Sequence, residues 1–135
     1  EIELGQNYLE YCKPFFPEKT HYWISGKVGV KEREEIRLGV NKSKETIIWG
    51  SLGTMSTGID IPSLSQVIFL FVGKSPIRVR QSIGRGLRVF AGKEKLQVFD
   101  ISDNLRYSKK HLVERLQIYA EENFSVEVVE IGKPL

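Results

Sequence analysis

Short apolar runs alternate with helix-patterned segments along the whole chain, and this alternation limits the fold more than any other feature. Strands separated by helical stretches point to crossover connections and a parallel sheet. Residues 2–12 read as a helix with Ile2, Tyr8, Leu9 and Cys12 toward its buried side. His21 to Ser25 reads as a strand closed by Gly26, residues 30–40 as a charged helix, and Thr46–Trp49 as a second short strand. Val67–Val72 is an unbroken apolar run bounded by Gly73, the pattern of a strand buried on both faces. A strand at 96–101, a helix from about Leu105 to Asn123 and a final strand at 126–131 complete the series. Val113, Leu116 and Ala120 are expected in the apolar stripe of that long helix. The expected fold class is thus α/β, a parallel sheet flanked by helices. The chain opens on a helix with no strand ahead of it, so the first strand of the sheet is expected upstream, in a longer protein.

The 135 residues suit a single domain, 1–135, with a real core. No apolar run approaches the ~20 residues of a membrane span, and the first residues, Glu1-Ile-Glu-Leu, lack the pattern of a signal segment. One cysteine, Cys12, excludes an internal disulfide and a cysteine-rich metal site, and a reducing cytoplasmic setting is the default. His21 and His111 lie far apart, neither beside an evident nucleophile, and read as structural. Trp23 and Trp49 lie in strands and read as core.

Charge is mildly positive overall, with 20 Lys+Arg against 17 Asp+Glu, but it is not evenly spread. Six cations and no acid lie from Ile61 to Lys93, and four of them are arginines within residues 76–88. Read as a helix with Ser75 as N-cap and Pro76 at the first position, this segment sorts into two sides. Val79, Ile83, Gly86 and Phe90 share one side; Gln81, Arg85 and Arg88, with Arg78 near them, share the other. Clustered guanidinium groups are the usual means of gripping phosphate. Gly84 and Gly86 each weaken a helix by about 1 kcal/mol relative to Ala, which suggests the close approach of another backbone or a ligand.

In open parallel sheets ligands bind beyond the C-terminal ends of the strands. After Thr46–Trp49 the segment Gly50–Pro62 holds three glycines, four small hydroxyl residues and one acid, Asp60. Such a loop brings backbone N–H groups and hydroxyls close to phosphate oxygens. Asp60 could accept from a sugar hydroxyl, pair with an arginine or cap local backbone. No Gly-x-x-x-x-Gly-Lys-Ser/Thr occurs, so a phosphate cradle of the P-loop kind is excluded. Arginines without such a cradle suit a domain that supplies a guanidinium to a nucleotide held by another lobe.

Ser51 to Pro62, with Ser56-Thr-Gly-Ile-Asp-Ile-Pro62, resembles motif V of superfamily 2 helicases, and Gln81-Ser-Ile-Gly-Arg-Gly-Leu-Arg88 resembles motif VI, Gln/His-x-x-Gly-Arg-x-x-Arg. Ile24-Ser-Gly-Lys27, followed by a helix with Glu32-Arg33, resembles the segment before motif V that faces nucleic acid. The likeness spans nearly the whole chain and is nearest to phage DNA helicases of the UvsW type, which share a late helix similar to Arg115–Phe124. The resemblance implies the second RecA-like lobe of an ATP-driven enzyme acting on branched or forked DNA, or on an RNA–DNA hybrid, in the cytoplasm of a bacterial host. By position it implies Arg85 and Arg88 as arginine fingers, and Gln81, Gly58 and Asp60 at the nucleotide. It implies Gly26, Lys27, Ser51 and Thr54 at the DNA backbone. ATP and Mg2+ would be held mainly by an N-terminal RecA-like lobe, and no metal site is expected in this chain. Leu52 stands where many members of the family carry Thr. A translocase lobe that does not separate strands, and a stand-alone nucleic-acid-binding α/β module, remain open on the residues alone.

Overall fold

Among the described residues four short strands form two parallel ribbons. Strand β1 (Thr20–Ile24) pairs with β2 (Thr46–Gly50), and β3 (Gln66–Leu70) with β4 (Gln97–Ile101). This computed structural model describes residues 2–43, 45–57, 60–70, 75–87 and 91–132, and only the backbone of residues 56, 57, 76, 85 and 86. Among these no ladder joins one ribbon to the other. Five helices accompany the strands: α1 (Ile2–Cys12), α2 (Val30–Lys42), α3 (Leu52–Thr57), α4 (Pro76–Gly86) and α5 (Arg106–Glu121). A parallel pair cannot be closed by a tight turn, and α2 makes the crossover in the first ribbon as α4 does in the second.

The first ribbon is clad on both faces. Successive strand residues point to opposite sides. Tyr22, Ile24 and Ile48 face α2 and pack with its Ile36 and Val40, together with Ile61. Trp23 faces α1, where a Cβ on Gly5 would come within 2.8 Å of the indole ring, so only glycine lets the helix lie this close. On the same face Trp49 Nε1 donates to His21 Nδ1 at 3.1 Å. That bond leaves the histidine proton on Nε2, 3.3 Å from the Phe16 carbonyl. Gly50 ends β2, and a Cβ there would stand 3.0 Å from both the Ile24 carbonyl and the Met55 thioether. Its absence lets α3 turn back onto the ribbon.

The second ribbon is clad on one face only. Val67, Phe69 and Val98 pack with Val79 and Ile83 of α4 and with Ile118 and Tyr119 of α5. Full burial of such side chains stabilises by about 1.5–3 kcal/mol each. The other face carries Ile68, Leu70, Phe99 and Ile101, all exposed, in register as Ile68↔Phe99 and Leu70↔Ile101. Burial of β3 on both faces, expected from its apolar run, is therefore not observed: the helices that follow β3 and β4 both lie on the same side. Residues 71–74 of the run lie outside the described residues.

Helix α5 ends in a Schellman motif. Asn123, at φ 56°, takes the left-handed conformation, Phe124 N–H donates to the Tyr119 carbonyl at 2.9 Å, and Asn123 N–H to the Ala120 carbonyl at 3.0 Å. Phe124 then folds onto Tyr119, ring centroids 6.3 Å apart. The buried stripe of α5 differs from the expected one. Arg115, Ile118 and Tyr119 are buried, whereas Val113 and Ala120 are exposed. An arginine can hold the centre of the stripe because Asp100 neutralises it. The strand expected at 126–131 is also absent; no described strand edge accepts this segment, and Val126, Val128, Val129 and Ile131 are exposed. No described helix is long and apolar enough to cross a membrane.

Candidate nucleotide and nucleic-acid site

The loop after β1 is held from behind. Ser25 is buried, its carbonyl accepts from Val28 N–H at 3.1 Å, and its Oγ accepts from Lys27 N–H at 3.4 Å. Arg33, one turn into α2, donates from Nη2 to the carbonyls of Ser25 at 3.2 Å and Gly26 at 3.5 Å. Gly26 and Lys27 are left exposed, with nothing within 4 Å of a Cβ placed on Gly26. The Gly26–Lys27 turn thus presents backbone and one cation to solvent. Arg33 as the brace was not foreseen; a lone arginine in a charged helix gives no signal for it in sequence.

The segment after β2, read as loop, contains α3. Ser51 caps that helix: its Oγ accepts from Thr54 N–H at 3.3 Å and lies 2.9 Å from Thr54 Oγ1, while its carbonyl accepts from Met55 N–H at 3.0 Å. Ser51 stays half-buried at the surface and Thr54 is turned inward. Farther along, Asp60 is half-buried, and its charge, secondary to that of Glu34, helps raise Arg37 of α2 above the usual arginine range. Gly58, between them, lies outside the described residues.

Helix α3 packs against α4, and Leu52 joins the cluster around Val79 and Ile83. This contact brings the Ser51 turn next to the arginine helix. Ser75 begins α4 without a side-chain cap, and Pro76 occupies the first turn. Val79 and Ile83 are buried as their spacing predicts, and Arg78 and Gln81 are exposed. Gly84 has nothing within 4 Å of a Cβ built on it, so no part of the described chain needs glycine there. The side chain of Arg85 and the whole of Arg88 and Phe90 lie outside the described residues. Ser82 points inward with no hydrogen-bond partner for its Oγ.

Arg80 has a separate task. It is bound to Glu121 and, from Nε at 3.0 Å, to Glu122, tying α4 to the end of α5. Beneath it, Arg115 donates from Nε and Nη2 to the two oxygens of Asp100 at 2.7 and 2.8 Å, and Tyr119 Oη donates to Asp100 Oδ2 at 2.6 Å. Burial alone would lower the Arg115 pKa; the hydrogen bond and charge of Asp100 outweigh it and raise it. Burial first, then the Asp100 bond, pushes the Tyr119 phenol well above its usual range. This triad carries charge yet faces the core, and the charge-assisted bonds of its single acid satisfy it.

Among the described residues no group of three or more His, Cys, Asp or Glu is placed to hold a metal ion. The arrangement offers exposed cations and backbone at the C-terminal ends of parallel strands, suited to phosphate rather than to acid–base chemistry.

Comparison with known proteins agrees with this geometry. The helicase conserved C-terminal domain matches residues 3–90. The ATP-dependent DNA helicase uvsW of Enterobacteria phage T4 is 33% identical over 120 residues, which cover 77% of this chain and 24% of that protein. The chain thus spans about a quarter of the length of that relative. Among solved structures, the C-terminal part of the Fun30 ATPase domain superposes with a TM-score of 0.58 at 20% identity, covering 86% of this chain and 45% of that one. The shared fold is the RecA-like arrangement of parallel strands and flanking helices.

Proposed function

The chain belongs to the helicase conserved C-terminal domain family, and from that premise we propose that it is the second lobe of a longer ATP-dependent DNA helicase. The observation that carries this reading is the packing of α3 on α4. It joins the motif V turn and the motif VI helix into one surface, as a lobe must if nucleotide state is to reach DNA contacts.

In this reading ATP lies between an N-terminal RecA-like lobe and α4. Arg85 and Arg88 reach the γ-phosphate and stabilise charge on the transferring phosphoryl group. Gln81, exposed beside them, and Gly58 and Asp60 meet the nucleotide. Arg78 adds positive potential at the mouth of the cleft. Mg2+, bound with the nucleotide, would be held mainly by the N-terminal lobe. Gly26 and Lys27, fastened through Arg33, and Ser51 at the head of α3 contact the DNA backbone. Thr54 supports Ser51 from beneath through its hydroxyl. Closing of the cleft shifts these contacts and moves the enzyme along branched or forked DNA in the host cytoplasm.

Arg85→Ala in the full-length protein tests the finger. ATP turnover is expected to fall by roughly 10³–10⁵-fold, the range of arginine fingers elsewhere. Turnover near wild type would remove Arg85 from the site. A fork-unwinding assay on the same protein separates unwinding from translocation alone.

A further inference from the structure

We propose that the first half of α5, carrying Arg106, Tyr107, Lys109 and Lys110, is a second nucleic-acid contact surface that grips backbone phosphates beyond the turns at Lys27 and Ser51. The inference rests on the DNA-motor reading above.

Its basis is how α5 sits on the sheet. Arg115 and Tyr119 are anchored on Asp100, the penultimate residue of β4. Every α5 residue in the apolar cluster lies beyond Arg115. Because α5 turns back along β4 after residues 102–105, the part of the helix before Arg115 extends past the C-terminal edge of the strand. At about 1.5 Å per residue this overhang is ~13 Å long. Tyr107 is 76% exposed and Val113 64%; Ser108, His111 and Leu112 turn inward and are half-buried, which leaves Arg106, Lys109 and Lys110 exposed.

Its charge is one-sided. From Asn104 to Val113 there is no acid, and Arg106, Lys109 and Lys110 project at spacings of three and four, on neighbouring positions of one exposed surface. None of the three has an ion pair among the described residues, whereas Lys19, Arg37, Arg80 and Arg115 each hold a carboxylate. Of the acids flanking this run, Glu114 lies one turn beyond Lys110, and Asp103 is occupied by the Ser108 hydroxyl and by Leu105 N–H at 3.0 Å, which hold its carboxyl below the usual range.

Arg106 alone of the three lies in the first turn, which has no acid of its own, and Asp103 stands just ahead of it; Lys109 and Lys110 lie one turn further along. Three exposed cations on one surface suit an anionic ligand. Phosphate suits the lysines and the guanidinium, and exposed Tyr107 offers a face on which a base can stack.

The test uses the full-length protein and a duplex DNA of arbitrary sequence, with Kd measured across a salt series. Removing one cation that neutralises a phosphate of the duplex should reduce the slope of log Kd against log salt by about 0.9. The triple variant Arg106→Ala, Lys109→Ala, Lys110→Ala is expected to lower the slope by about 2.7, and the charge-preserving pair Lys109→Arg, Lys110→Arg to leave it unchanged. Lys27→Ala, which tests the motor reading itself, is expected to lower it by about 1. If Lys27→Ala lowers the slope and the triple does not, the α5 surface is overturned while the DNA reading stands. If neither does, the DNA reading fails and the inference with it. If the triple weakens binding at an unchanged slope, phosphate contact is overturned and the overhang serves a protein neighbour instead.

Discussion

The two ribbons are built from similar strands and end up in different surroundings. β1–β2 is enclosed, with α1 over Trp23 on one face and α2 over Tyr22 and Ile24 on the other. β3–β4 has α4 and α5 on one face and four exposed apolar side chains on the other. Parallel sheets are ordinarily covered on both faces, so the second ribbon shows half of an expected environment. Its covered side also holds a buried ion pair. Asp100, Arg115 and Tyr119 fix α5 by directed bonds where apolar packing has only one face to work with.

The sharpest way to break this contrast is Asp100→Ala. It leaves Arg115 buried without its carboxylate, and breaking a buried pair from one side costs about 3–5 kcal/mol. Denaturant unfolding should show a loss of that size; a loss below about 1 kcal/mol would mean that apolar packing alone holds α5. Next in size is a matched pair of changes. Ile24→Ala, in the enclosed ribbon, should cost about 2–5 kcal/mol. Ile68→Ser, on the bare face, should stay within about 0.5 kcal/mol. If Ile68→Ser in the full-length protein costs more than about 2 kcal/mol, another part of that protein covers the face. A change of opposite sign is expected at Gly84, where a Cβ meets no described atom within 4 Å. Gly84→Ala should stabilise α4 by about 1 kcal/mol. A gain in melting temperature together with lost ATP turnover would identify Gly84 as a place of close ligand approach.

Much of the architecture was legible in the sequence because period and punctuation agreed. Helix 2–12, the strands near 21–24, 46–49 and 97–101, and the two-sided sorting of Val79 and Ile83 against Gln81 all appear as their spacing predicts. The misreadings share a cause: pattern reports apolarity, not what stands opposite. Val67–Val72 is apolar enough for burial on both faces, yet both following helices took the same side. Val113 and Ala120 suited a stripe, but the helix turned to bring Arg115 over Asp100, a pairing across 15 residues that no local window contains. The segment expected as a strand at 126–131 pairs with none of the four described strands, although each has an unpaired edge. Of the candidate site, the Ser51 turn drew notice by its glycines and hydroxyls and the Gly26 turn by its resemblance to helicase sequences. Arg33 could not be found in either way, since its partners are carbonyls, which every residue has.

Arg33 also bears on the cost of binding. The turn from Ser25 to Val28 has no regular structure, and fixing such backbone ordinarily costs about 1–2 kcal/mol of conformational entropy per residue. The guanidinium on two successive carbonyls meets part of that cost during folding, before any ligand arrives. A ligand that docks on Gly26 and Lys27 therefore meets a turn already shaped. Loosening the brace would appear as weaker binding by an otherwise intact surface, through a residue that never touches what is bound.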